Sequence, residues 1–130
     1  MNFVSISKDM DDIATKIVDA AYQVHLKHGP GLLEKIYETC FCHELSTKGV
    51  TFKRQVELPI EYDGMIFNEG LRLDVLVEDC IICELKASEK HTKVWDAQLM
   101  TYLKLANKRL GFLINFNVPI IKHGIKRIVL

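Results

Sequence analysis

Hydrophobic spacing divides the chain into a helical opening, a β-rich middle and a mixed end. From about Asp9 to His28, Ile13, Ile17, Ala20, Ala21 and Val24 recur at intervals of three and four, as on one buried helix face. Gly29-Pro30-Gly31 stops that helix, and a second is expected from about Gly31 to Lys48. Leu33, Ile36, Tyr37, Cys40, Phe41 and Leu45 form its apolar stripe. After Gly49 the period shortens to two, and Thr51 to Tyr62 reads as a strand. Asp63-Gly64 marks a tight hairpin turn. Met65 to Val77 is the returning strand, with a bulge or break at Asn68-Glu69-Gly70. Ile81 to Leu85 forms a third strand. The helical period returns from about Thr92 to Asn107, with Val94, Trp95, Leu99, Tyr102, Leu105 and Ala106 on its apolar face. Gly111 to Phe116 is a short apolar strand suited to the middle of a sheet, and Gly124 to Leu130 a last, edge strand.

The resulting order, α-α-β-β-β-α-β-β, predicts an α/β (α+β) fold: a mixed central sheet flanked by helices. Ile81 to Phe116 should make a right-handed parallel crossover. A length of 130 residues with 48% apolar side chains suits one domain over 1–130. No apolar run approaches the ~20 residues of a membrane span. The N-terminal stretch carries acidic clusters and lacks the basic segment and apolar core of a signal peptide, so a cytoplasmic location is expected.

Several residues break the apolar pattern. Asp74, Glu84 and Lys86 sit in strands where a buried sheet should carry no charge, and desolvating charge costs several kcal/mol unless it is paired or binds a cation. Glu34 projects within the second helix's apolar stripe and Gln98 within the third's. Glu84 and Lys86 share a strand face by alternation. Asp74 joins them only in one register: a three-residue loop at Glu78-Asp79-Cys80 sets it directly opposite Glu84, whereas a two-residue loop puts the carboxylates on opposite faces. Two carboxylates on adjacent strands make a hard-oxygen site suited to Mg2+ or Mn2+, to which Glu34 could add a carboxylate or hold a metal-bound water. Lys86 would orient a water or stabilise developing negative charge, and Gln98 could hydrogen-bond a phosphate or Lys86. The plainer alternative is a surface strand with an internal ion pair.

Charge sharpens this picture. Net charge is zero overall, but residues 1–50 carry −2, residues 51–85 −5 and residues 86–130 +7. Such segregation suits an acidic cation pocket beside a basic surface for a polyanion. Lys90, His91 and Lys93 are candidates for phosphate contact, and Trp95 and Tyr102 could stack on a base, although their spacing fits core packing. Cys40, Cys42, Cys80 and Cys83 could supply a zinc site, but Cys40 and Cys83 fall on apolar faces where cysteine packs as a small hydrophobe.

Gly31-Leu32-Leu33-Glu34-Lys35-Ile36-Tyr37, Arg72 to Asp74, Glu84 to Ala87, Gln98 to Leu103, Leu113 to Pro119 and His123 to Ile128 occur in one order across the chain. Together they resemble the GxxExxY protein family, grouped with the PD-(D/E)xK nuclease-like superfamily. The resemblance implies a restriction-endonuclease-like core and a metal site of Asp74, Glu84 and Glu34. It also implies a catalytic Lys86 and a RecB-like Q-x-x-x-Y element at Gln98 and Tyr102. Leu73 stands where the superfamily's name has a proline. The function so implied is Mg2+-dependent hydrolysis of DNA. The alternative is a non-catalytic module of the same fold that binds nucleic acid or a protein partner. With no room for a separate recognition domain, a lone copy would need a homodimer or a partner.

Overall fold

The computed structural model describes residues 6–130. Residues 1–5, where the stretch weighed against a signal peptide begins, lie outside the described residues.

Helix α1 (Lys8–His28) starts at Ser7, whose hydroxyl accepts a 3.1 Å hydrogen bond from the Met10 amide. Its periodic apolar residues Ala14, Ile17, Ala20, Ala21 and Val24 are all buried. Helix α2 covers Glu34–Thr47, a turn shorter than its apolar spacing predicts. The hydroxyl of Tyr37 explains the later start. It accepts from the Leu32 amide at 3.1 Å and donates to the Gly29 carbonyl at 2.6 Å, while its ring stacks on Phe116 at 4.6 Å. These contacts hold residues 29–32 as a turn. Leu33 (73% exposed) and Ile36 (43%) therefore leave the predicted stripe, and Glu34 becomes the first helical residue.

The main sheet has five strands in the order β1-β4-β5-β6-β7: β1 (Phe52–Glu57), β4 (Arg72–Val77), β5 (Ile81–Lys86), β6 (Leu110–Asn115) and β7 (Ile125–Val129). Only β5 and β6 are parallel, joined through α3 (Lys93–Ala106); the other pairs are antiparallel. The mixed sheet and the β-α-β unit agree with the expected fold. One apolar cluster packs α1 and α2 on one face, around Phe41, Val75, Val77, Cys83 and Phe112. A second packs α3 on the other, around Leu76, Ile82, Leu99, Leu103 and Leu113. On α3, Val94 (73% exposed) and Leu105 (37%) lie outside that core, and Leu103 takes the buried place.

Both long strands expected from alternation are divided. The first ends at Glu57, and the second separates at residues 68–71 rather than merely bulging. Pro59 has no amide to continue a ladder. The pieces between, β2 (Ile60–Tyr62) and β3 (Met65–Phe67), form their own two-stranded sheet, closed at its base by a 2.8 Å bond from the Leu58 amide to the Leu71 carbonyl. Tyr62, Met65 and Ile66 on this hairpin are exposed. The observed order is thus α-α followed by five strands, α3 and two further strands.

A 3₁₀ turn (Ile121–Gly124) brings the chain into β7. At Gly124 an added Cβ would lie 2.1 Å from the Asn115 carbonyl oxygen, a backbone atom with no room to retreat. Gly124→Ala should therefore destabilise the protein by about 1–3 kcal/mol through overpacking, read as a lower denaturant midpoint at an unchanged slope. An unchanged midpoint would show that the turn can shift freely.

Among the described residues no helix is long and apolar enough to cross a membrane.

Candidate active site

The β4–β5 turn decides whether the two strand carboxylates meet. Glu78 and Asp79 both adopt left-handed backbone, with φ of +50° and +54°, and the Cys80 amide bonds the Val77 carbonyl at 3.0 Å. Cys80 is the third loop residue, so Val77 pairs with Ile81, Leu76 with Ile82 and Val75 with Cys83. This is the register that sets Asp74 opposite Glu84.

At that position the regular ladder ends and side chains take over its hydrogen bonds. The Asp74 amide donates to Glu84 Oε2 at 2.8 Å, and the Leu85 amide donates to Asp74 Oδ2 at 2.9 Å. Each carboxylate is anchored to the opposite strand through one oxygen. Asp74 Oδ1 and Glu84 Oε1 take no part in these two cross-strand bonds, and the Gln55 side chain lies close enough to Asp74 to act on its carboxyl. Glu84 is only 4% exposed. Burial first, and then the neighbouring Asp74 charge, push its carboxyl up to about 8. The Asp74 carboxyl is also raised, chiefly by burial, against the lowering effect of the Leu85 amide. Two carboxyls held together with raised affinity for protons are also placed to hold another cation, and carboxylate oxygens are hard donors. The donor set fits a divalent ion of the Mg2+ type.

Lys86 lies one strand repeat beyond Glu84 on the same face. Its ammonium reaches Gln98 Oε1 at 3.4 Å and sits 5.4 Å above the Trp95 ring. Parallel pairing of Lys86 with Asn115 fixes the strand end. The buried Asn115 then clamps the following loop, accepting from the Ser88 amide at 3.1 Å and donating to the Ser88 carbonyl at 2.8 Å. Gln98 and Tyr102 lie one turn apart on α3, and burial, followed by the Glu84 and Asp74 charges, raises the Tyr102 hydroxyl. Tyr102 is only 8% exposed and belongs to the α3 core, so its ring is not open for base stacking.

Glu34 enters from the first turn of α2. It is exposed, and its carboxyl is raised by partial desolvation and then by the Asp74 charge. It does not close a three-carboxylate cluster: among the described residues no three His, Cys, Asp or Glu side chains gather around one metal position. By the same finding no three of the four cysteines gather at one point; Cys42 and Cys83 are buried, and Cys42 is pushed up to about 12 by desolvation. A cysteine zinc centre is not assembled. Lys90 and Lys93 are exposed beside the site. His91 instead turns to Asp96 at 3.0 Å and packs edge-on against Trp95.

One site neighbour escapes the hydrophobic pattern. Glu38, 7% exposed, accepts from Arg54 Nε at 2.9 Å and from Gln55 Nε2 at 2.7 Å. It follows Glu34 by one helical turn, a spacing that places both on one face and could have marked it. A cavity of about 580 Å³ lined by Glu34, Lys35, Glu38, Arg54 and Gln55 opens beside Asp74.

No curated protein and no solved structure matches the chain. A model of the PD-(D/E)XK nuclease superfamily matches residues 11–128, which takes in α2, the carboxylate pair, Lys86, α3 and β6. By that match, together with a mixed five-stranded sheet carrying its acid pair and lysine at one place, the chain belongs to the PD-(D/E)XK nuclease superfamily.

Proposed function

We propose that this protein is a metal-dependent nuclease that hydrolyses phosphodiester bonds of DNA. The observation that carries the reading is the Asp74–Glu84 pair: each carboxylate is tied to the opposite strand by one oxygen and holds the other outside those bonds. Asp74 and Glu84 would hold Mg2+ or Mn2+, with Glu34 reaching the ion through a water. A divalent ion bound there supplies Lewis-acid polarisation of a phosphoryl oxygen. The Lys86 ammonium is placed to orient the attacking water and to stabilise negative charge developing on the phosphoryl group, and Gln98 sets the direction of that ammonium. Lys90 and Lys93, in the basic C-terminal part of the chain, extend positive potential outwards for the phosphate backbone.

The test is cleavage of end-labelled single- and double-stranded DNA with Mg2+ or Mn2+, repeated after chelation. Cleavage that needs the metal and disappears with EDTA is expected. Products that persist under EDTA would sink the metal role. No cleavage of DNA or RNA with either ion would leave the second reading, a non-catalytic binding module. One observation favours a protein contact in that case: the β2–β3 hairpin exposes Tyr62, Met65 and Ile66 between acidic residues that repel a polyanion.

A further inference from the structure

Gln55 has left-handed backbone, with φ of +51°. The other non-glycine residues with positive φ among those described, Asp63, Glu78, Asp79 and Asn107, occupy turns or a helix cap; Gln55 lies inside a strand. Such a conformation is strained for a residue with a side chain and persists only where the surroundings impose it. Packing does not impose it here, because Gln55 is exposed at the mouth of the cleft.

Its consequences centre on Asp74. The β1–β4 ladder pairs Arg54 with Val75 and Val56 with Leu73, but the pair between them, Gln55 and Asp74, is missing. At the same point the two strands turn over. Phe52, Val75 and Val77 pack with the α1–α2 cluster, whereas Val56 and Leu73, which regular alternation would place with them, pack with the α3 cluster. The hydrogen bonds of β1 show the same turn. Consecutive strand residues point to opposite faces, yet Arg54 and Gln55 both reach the one carboxylate of Glu38, at 2.9 and 2.7 Å. Arg54 also donates to Thr39 Oγ1 at 3.2 Å, so α2 grips the strand at the turning point.

We propose that Gln55 is a positioning residue for Asp74: its left-handed backbone, locked by its amide bond to Glu38, keeps Asp74 out of the regular pleat. In that position the carboxylate lies between β4 and β5 instead of on one face. The inference rests on the nuclease reading and deepens it, since it identifies what holds the pair in a metal-binding geometry.

Gln55→Gly removes the amide and leaves a residue that adopts positive φ without strain. Gln55→Asn keeps an amide and tolerates the same backbone. Both are measured without substrate, by Mg2+ calorimetry and by thermal melting of the metal-free protein, beside the wild type. The expected result is Mg2+ affinity lowered roughly 10-fold in Gln55→Gly, as for partners that orient a metal ligand, with a melting temperature equal to or above that of the wild type and partial recovery of affinity in Gln55→Asn. Gln55→Gly binding Mg2+ as tightly as the wild type would overturn the proposal while leaving the nuclease reading in place. Loss of affinity with a matching loss of thermal stability, unrelieved by asparagine, would also overturn it, as a merely structural role. A wild type that takes up no Mg2+ would remove the nuclease reading and this inference together.

Discussion

Asp74→Asn should lower metal-dependent DNA cleavage by about 10³-fold or more while leaving the protein folded. The variant is chosen for what it keeps. Asparagine retains an oxygen for the Leu85 amide, which now bonds Asp74 Oδ2 at 2.9 Å, so no buried donor is orphaned. What disappears is one of two adjacent negative charges. A single carboxylate at Glu84, next to the Lys86 ammonium, has far less attraction for a divalent ion than the pair. Mg2+ binding by calorimetry should fall below detection, and the metal-free melting temperature should not drop. Cleavage within a few-fold of wild type would exclude Asp74 from the chemistry. Equal loss of melting temperature and activity would mean that the substitution acts through folding.

The second large effect lies in the pH dependence of stability without metal. Glu84 has a folded-state pKa of about 8 against an ordinary 4.5, so the folded protein holds this proton more tightly than the unfolded chain does. A raised acid pKa makes stability fall as pH climbs from about 4.5 to about 8, and leaves it level above that. The loss at pH 8 is on the order of a few kcal/mol. Glu84→Gln keeps an acceptor for the Asp74 amide and cannot ionise. Its melting temperature should exceed that of the wild type at pH 8, with the difference shrinking towards pH 5. Mg2+ should stabilise the wild type and not the variant. Parallel melting profiles for the two proteins across pH 5 to 8 would contradict the buried, mutually repelling pair.

The sequence conveyed some of this well, and the reasons are local. Residues 74 to 86 hold both carboxylates and the lysine on one hairpin, so alternation reduced the question to the length of the Glu78-Asp79-Cys80 loop, which only the backbone of the turn decides. The helix and sheet order around it also followed from apolar spacing, because α1 buries one regularly spaced apolar face and β5 and β6 are almost continuously buried. Where the pattern misled, tertiary contacts outweighed it. Leu33 and Ile36 are spaced as core residues but are displaced by the Tyr37 hydroxyl pinning residues 29–32. The long alternation from Thr51 to Tyr62 reads as one strand, yet Pro59 stops the ladder after Glu57, and within β1 a reversal of face leaves no mark on the alternation. That reversal depends on the backbone of Gln55, a residue type with no preference for left-handed φ. Glu38 shares the Glu34 face on a helical wheel, but its partners Arg54 and Gln55 lie more than a dozen residues away, outside any wheel.

The cation–π contact between Lys86 and Trp95 has a practical side. Trp95 is the chain's single tryptophan, and its indole lies 5.4 Å from the ammonium, with the His91 ring edge-on at 5.4 Å between centroids. Excited at the red edge of the aromatic absorption, where the four tyrosines do not absorb, the protein therefore emits from one point, beside the proposed catalytic lysine. A ligand that draws the Lys86 ammonium away from the ring alters the polarity and quenching around that one fluorophore, so the unlabelled protein carries its own optical gauge of cleft occupancy.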